Sequence, residues 1–131
     1  MIPKFRACFN RYNRMIYNIG IVNENSILVD FNGDGDCEYM FLTNDIKLMQ
    51  SIGLKDEYGN EIYESDLVEY RDGEESFKGE VVINCFGSYV KTENDYIRFE
   101  DFSDENSRIA GNCYVVGNIY ETPELLDEVK E

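Results

Sequence analysis

Three sets of residues in this chain have the types and spacing to do chemistry. The first lies in DFNGDGDCEYMF, residues 30–41, where Asp30, Asn32 and Asp34 alternate, Gly35 follows and Asp36 comes next. A calcium loop of the helix-loop-helix kind needs oxygen ligands at positions one, three and five, glycine at six and a bidentate carboxylate at twelve. Position twelve is Phe41, so Glu38 or Asp45 would have to supply the missing ligand. The flanks SILVD and CEYMFL read as strands, which places the aromatic at position 41 in the core. The expected structure is a hairpin loop without a metal, whose Asn and Asp residues tolerate left-handed backbone and whose glycines relieve strain.

The second set is a carboxylate pair, Asp56 and Asp66, since hydrolases divide acid and base roles between two carboxylates in different environments. With 27 acidic residues in the chain any such pairing is cheap. There is no histidine, no nucleophile elbow and no phosphate-cradling glycine loop; the GDG triplet has neither a following Lys nor a strand-to-helix setting. The third set is Cys8 with Arg6 two positions earlier, a cation near enough on an extended strand to activate a thiol. Burial as a small hydrophobe is the ordinary use of such a cysteine. No residue is therefore assigned a catalytic, cofactor-binding or metal-binding role, no cofactor is expected, and the protein is read as a non-enzyme.

Composition narrows the remaining classes. One chain of 131 residues with 43% hydrophobic residues, ten Tyr and eight Phe can bury a core without metals or disulfides. Twelve Lys and Arg against 27 Asp and Glu give a formal charge of −15, which repels phosphate and argues against direct nucleic-acid binding. Cations gather at the start, as Lys4, Arg6, Arg11 and Arg14, while Glu121, Glu124, Asp127, Glu128 and Glu131 crowd the end. Cys8, Cys37, Cys85 and Cys113 show no zinc spacing. The apolar settings of Cys8, Cys37 and Cys113 suit buried, reduced thiols and imply a cytosolic protein. MIPKFRACF lacks the uninterrupted apolar core of a signal peptide, and no segment is long enough to cross a bilayer as a helix.

Short runs rich in β-branched and aromatic residues alternate with Gly, Asn and Asp clusters, the rhythm of a mainly β chain. Strands are expected at 4–9, 15–22, 27–31, 37–42, 47–51, 66–70, 78–84, 89–91, 96–99 and 114–119. TNDIKLMQSI, residues 43–52, could instead hold a helical turn capped by Thr43 or Asn44. Residues 1–50 form an N-terminal β-hairpin region, either a lobe of its own or part of a larger sheet. Residues 51–121 read as a small, strongly bent SH3-like barrel, in which closure hides the edges. Over 122–131, Thr122 as cap, Pro123 at the first helical position and the apolar Leu125, Leu126 and Val129 predict a short C-terminal helix or tail.

The blocks KFRA with RMIY, then LMQSIGLKDEYGNEIYESDLVEY, and finally VVGNIYETPELL together resemble the YopX family of small proteins encoded by bacteriophages and prophages. That resemblance implies a mainly β fold with an SH3-like C-terminal barrel and the cytosol of a bacterial host, and it brings no assigned activity. Two positions depart from the family pattern. Cys8 stands where Trp is usual, suggesting a differently filled pocket, and Ser65 stands where Gly is usual, suggesting a bend that needs no glycine-only conformation. The function expected is an accessory or interaction factor acting through a host or phage protein partner or as a homo-oligomer, with no membrane. An acidic nucleic-acid mimic blocking a host enzyme is the alternative, and a weak metal-binding or hydrolytic protein the second.

Overall fold

The computed structural model describes residues 4–104 and 106–125, in two compact units divided between Gln50 and Ser51. It is mainly β, as expected. In the first unit, β1 (Phe5–Phe9) and β2 (Arg14–Ile16) form an antiparallel hairpin. Its turn is made by Tyr12 N–H and Asn13 N–H donating to the carbonyls of Phe9 and Asn10, with Asn13 at φ 52°. The other edge of β1 pairs antiparallel with the first half of β6 (Ile46–Lys55), Phe9 opposite Ile46 and Phe5 opposite Gln50. Residues 47–51 are therefore strand rather than a helical turn.

β3 (Ile19–Asn23), β4 (Ser26–Val29) and β5 (Glu38–Phe41) make a separate three-stranded antiparallel meander with β4 in the middle. The single strand expected over 15–22 is thus two. At Asn18 the backbone carbonyl accepts the Asp30 N–H instead of a ladder partner, so the chain leaves one sheet and enters the next. Ala7, Phe9, Ile16, Ile27 and Val29 form the core of this unit, and Phe31 lies against Phe9 with ring centroids 5.2 Å apart.

The second unit starts with the remainder of β6, which pairs antiparallel with β7 (Glu61–Tyr63). β8 (Asp66–Asp72), β9 (Glu75–Asn84), β10 (Gly87–Lys91) and β11 (Tyr96–Arg98) follow as a meander. A short 3₁₀ turn at Phe99–Asp101 leads to β12 (Ser103–Asp104) and β13 (Ile109–Ala110). β14 (Cys113–Asn118) then returns to the free side of β8. The sheet order is β11-β10-β9-β8-β14, and no pairing among the described residues joins its ends. The expected barrel is therefore an open sheet by its hydrogen bonding, with β7, β12 and β13 as short strands beside it.

Its core is Ile62, Val68, Val81, Val90, Phe99, Ala110 and Cys113. Tyr70 stacks on Phe77 at 4.8 Å, and Phe102 meets Tyr70, Phe77 and Phe99. Gly79 lets β9 and β10 approach: a Cβ there would sit 2.5 Å from both the Lys91 carbonyl oxygen and Val90 Cγ1. At the C-terminal side, Asn118 Oδ1 accepts the N–H groups of Tyr120 and Glu121. Thr122 Oγ1 accepts the Asn118 N–H and donates to the Asn118 carbonyl. That turn leads to only Glu124 and Leu125 in helical conformation; the rest of the helix expected over 122–131 lies outside the described residues.

Candidate functional site

The aspartate-rich loop between β4 and β5 folds around its first carboxylate. Asp30 Oδ1 accepts the N–H groups of Gly33 at 2.8 Å and Asp34 at 3.2 Å, and Oδ2 accepts that of Gly35 at 2.9 Å. Gly33 and Gly35 sit at φ 71° and 85°, conformations that glycine adopts without steric cost. These bonds, the one from Gly35 foremost, hold the Asp30 carboxyl below its ordinary range. Asp34 Oδ1 in turn accepts the Asp36 N–H at 3.0 Å. Asp45, proposed as a substitute twelfth ligand, lines a groove with Arg11 and Tyr12. Among the described residues no group of three or more Cys, Asp or Glu side chains is placed to hold a metal ion.

Asp56 and Asp66 are brought to one core, but as buried braces for the backbone. Asp56 is 1% exposed. Its Oδ1 accepts from the N–H groups of Tyr58 and Asn60, and its Oδ2 from Asn60 Nδ2 and, 59 residues along the chain, the Val115 N–H at 3.0 Å. One carboxylate therefore shapes the DEYGN turn and fastens it to β14. Asp66, equally buried, accepts the Tyr63 N–H at 2.8 Å across the bend between β7 and β8. Both lie near enough to the buried Cys113 to raise its pKa, although desolvation does most of the work; the thiol is pushed up to about 12. Such a thiol stays protonated and is a poor nucleophile.

Within that bend, Ser65 occupies φ 72°, which overturns the expectation that a serine here marks an ordinary conformation. Its N–H donates to the Val81 carbonyl and its own carbonyl accepts the Ile119 N–H. The surrounding ladder thus forces a left-handed residue at this point whatever its side chain.

Arg6 and Cys8 are both buried on the same face of β1. The Arg6 guanidinium lies 5.9 Å from the Tyr17 ring centroid, and the Cys8 thiol donates to Asn10 Oδ1 at 3.4 Å. Cys113 is buried as expected, whereas Cys37 is exposed, because β5 begins one residue later and leaves it in the loop. Cys85 is also exposed, and all four cysteines are thiols rather than disulfides.

The first unit also carries an aromatic surface. Strand alternation turns Met40 inward opposite Ile27 and Phe41 outward opposite Ser26. Phe41 is 67% exposed instead of entering the core, and Tyr39 on the same face is 53% exposed. Their rings meet edge-on at 5.4 Å. Phe41 also borders a groove of about 270 Å³ whose floor includes Phe9, Met40 and Ile46 and whose rim carries Arg11 and Tyr12. Tyr12 is 64% exposed. Its signal in the sequence is the tyrosine of the β1–β2 turn and two aromatics at i and i+2 in EYMF, a spacing that puts both on one side of a strand. No helix among the described residues is long and apolar enough to cross a membrane.

Compared with known proteins, residues 4–127 match the family model described as YopX protein. A solved structure of similar fold is the crystal structure of protein EF1440 from Enterococcus faecalis, with a TM-score of 0.65 at 24% identity, covering 96% of this chain and 99% of that one. No curated protein matches.

Proposed function

The chain belongs to the YopX family, and from that premise we propose that it is a phage or prophage accessory factor that works by binding protein rather than by catalysis. One observation carries this reading. Asp56, Asp66 and the Cys8 and Cys113 thiols are buried against backbone N–H groups or in the core and the Asp30 carboxylate is occupied by the N–H groups of its own loop, while on the first unit Tyr12, Tyr39 and Phe41 stand in solvent. Exposed Tyr and Phe side chains flanking a groove of mixed apolar and charged lining are the usual anchors of a protein interface. The test is capture by the immobilised full chain from host lysate, wild type against Tyr39→Ser/Phe41→Ser. A defined protein retained by the first and lost by the second is expected; identical retention by both refutes the reading.

A second reading, acidic mimicry of a phosphate array, is favoured by the distribution of charge. Residues 1–50 hold five Lys and Arg against six Asp and Glu, a net −1, and residues 51–131 hold seven against 21, a net −14. A partner held by that field would be released as NaCl rises toward about 1 M, where screening shortens to about 3 Å. A partner held by the aromatic face would stay.

A further inference from the structure

Building on the reading that the protein acts through protein contact, we infer that the outer face of β4 and β5, with the groove that continues it, is the site at which a second copy of this chain docks. The surface is continuous within the first unit. Tyr12 and Phe41 border one groove, Phe41 touches Tyr39, and Tyr39 sits directly opposite the exposed Leu28 in the β4–β5 register. On β3, the position opposite Leu28 is Gly20, which has no side chain to shield it.

Charge argues for the occupant. Nearly all of the chain's −15 belongs to residues 51–131, so a contact made between first units, each at −1, adds almost no repulsion of its own. The groove rim carries one cation and one anion, Arg11 and Asp45. A two-fold axis places each opposite its counterpart's neighbourhood, so a self-complementary contact needs no charge from elsewhere. Area sets the strength. Three aromatics more than half exposed, at roughly 150–250 Å² each when whole, together with Leu28 give a patch of about 300–500 Å², the size of the largest that monomers carry. The patch is below the roughly 800 Å² per subunit of a tight complex. The dimer is therefore weak and reversible, with dissociation in the micromolar range.

Sedimentation equilibrium of the full chain from about 1 to about 300 μM tests this. The expected result is a monomer–dimer equilibrium that tightens as NaCl rises from about 0.1 to about 1 M, because salt screens the repulsion between acidic units and does not weaken apolar contact. Phe41→Ser should raise the dissociation constant at least about 30-fold, as loss of a central anchor does, and Tyr39→Ser should raise it less. Both positions are exposed, so unchanged circular dichroism shows that the fold survives. A wild-type chain that stays monomeric throughout overturns the inference, including one that is instead captured through Phe41 by a different protein, in which case the protein-contact reading stands. A dimer that both variants form as readily as the wild type overturns it as well.

Discussion

Replacing Asp56 with Ala tests whether this carboxylate is a structural brace. The substitution removes the acceptor for three backbone N–H groups, those of Tyr58, Asn60 and Val115, at 2.8–3.0 Å, and for Asn60 Nδ2 at 3.2 Å. Each buried donor left without a partner costs about 1–3 kcal/mol. The turn is partly open, so water entering the space vacated by the carboxylate recovers some of the loss for Tyr58 and Asn60. Val115, in β14, has no such recourse. The sum is about 3–5 kcal/mol, a large share of the 5–15 kcal/mol that holds an ordinary domain folded. In a unit of this size that lowers the melting temperature by roughly 12–40 °C. The chain has no Trp, so urea unfolding is best followed by tyrosine fluorescence and far-ultraviolet circular dichroism. Asp56→Asn keeps the size but turns an NH₂ toward donors on one side, and should fall between wild type and Asp56→Ala. A loss below about 1 kcal/mol for Asp56→Ala would show that the four bonds do not define the turn, and the assignment of Asp56 to structure would fail.

Four further outcomes are expected. Ser65→Gly should stabilise by about 0.5–1 kcal/mol in urea, because relief of about 1–2 kcal/mol of left-handed strain exceeds glycine's entropic cost; Ser65→Ala should bring no gain, and equal behaviour of the two would contradict the φ 72° conformation. Gly79→Ala should destabilise by at least about 2 kcal/mol, since the new methyl meets a backbone carbonyl that cannot move without breaking the β9–β10 ladder. A thiol reagent should titrate Cys37 and Cys85 quickly in the native protein and Cys8 and Cys113 only on unfolding. Cys113 also sets an alkaline limit: its folded pKa of about 12 lies above the ordinary 9.0, so the folded state keeps a proton that the unfolded chain releases. Its contribution is complete below about pH 9 and is lost between about pH 9 and 12 at up to about 1.4 kcal/mol per pH unit. Tyr70, raised by donating to Asp72, acts in the same direction at higher pH, so Cys113→Ala should flatten the early part of the alkaline limb and leave the later part in place.

Much of the strand pattern was legible because runs such as VVIN and YVVGN are rich in β-branched and aromatic residues and end at turns. Where the reading stopped short, charge was the reason. β8 and β9 extend to Asp72 and from Glu75 through RDGEES, since a two-stranded arm exposed on both faces tolerates acids that look like loop. The split between β2 and β3 had no marker stronger than Asn18, because the partner that captures its carbonyl is twelve residues away. In EYMF every residue but the first is apolar, so alternation could be assigned in either phase, and only pairing with β4 sends Phe41 outward. The DEYGN turn was visible as a turn from its Asp and Gly. Nothing local could reveal that the same aspartate reaches Val115, which is tertiary information. The left-handed backbone at Ser65 was hidden for a related reason: a serine there signals nothing, and the strain is imposed by bonds from β9 and from the segment after β14.

The fate of Asp30, Asp56 and Asp66 shows why acid-rich motifs in a chain like this one are poor guides to catalysis. Small units built of short strands have many turns, and each turn leaves N–H groups that a ladder cannot satisfy. A short carboxylate is the strongest acceptor able to reach two or three of them at once, so aspartates collect where the backbone bends most tightly, mimicking both a calcium loop and an acid/base pair. Asp104 and Glu57 do the same for the N–H groups of Asn106 and Asn112, and most of the acids lie in residues 51–131, whose net charge of −14 opposes contact between copies of that unit. Against that background the aromatic cluster on the near-neutral first unit is a feature that structural need does not account for. Burying those rings on β5 would have required only the opposite alternation along four residues.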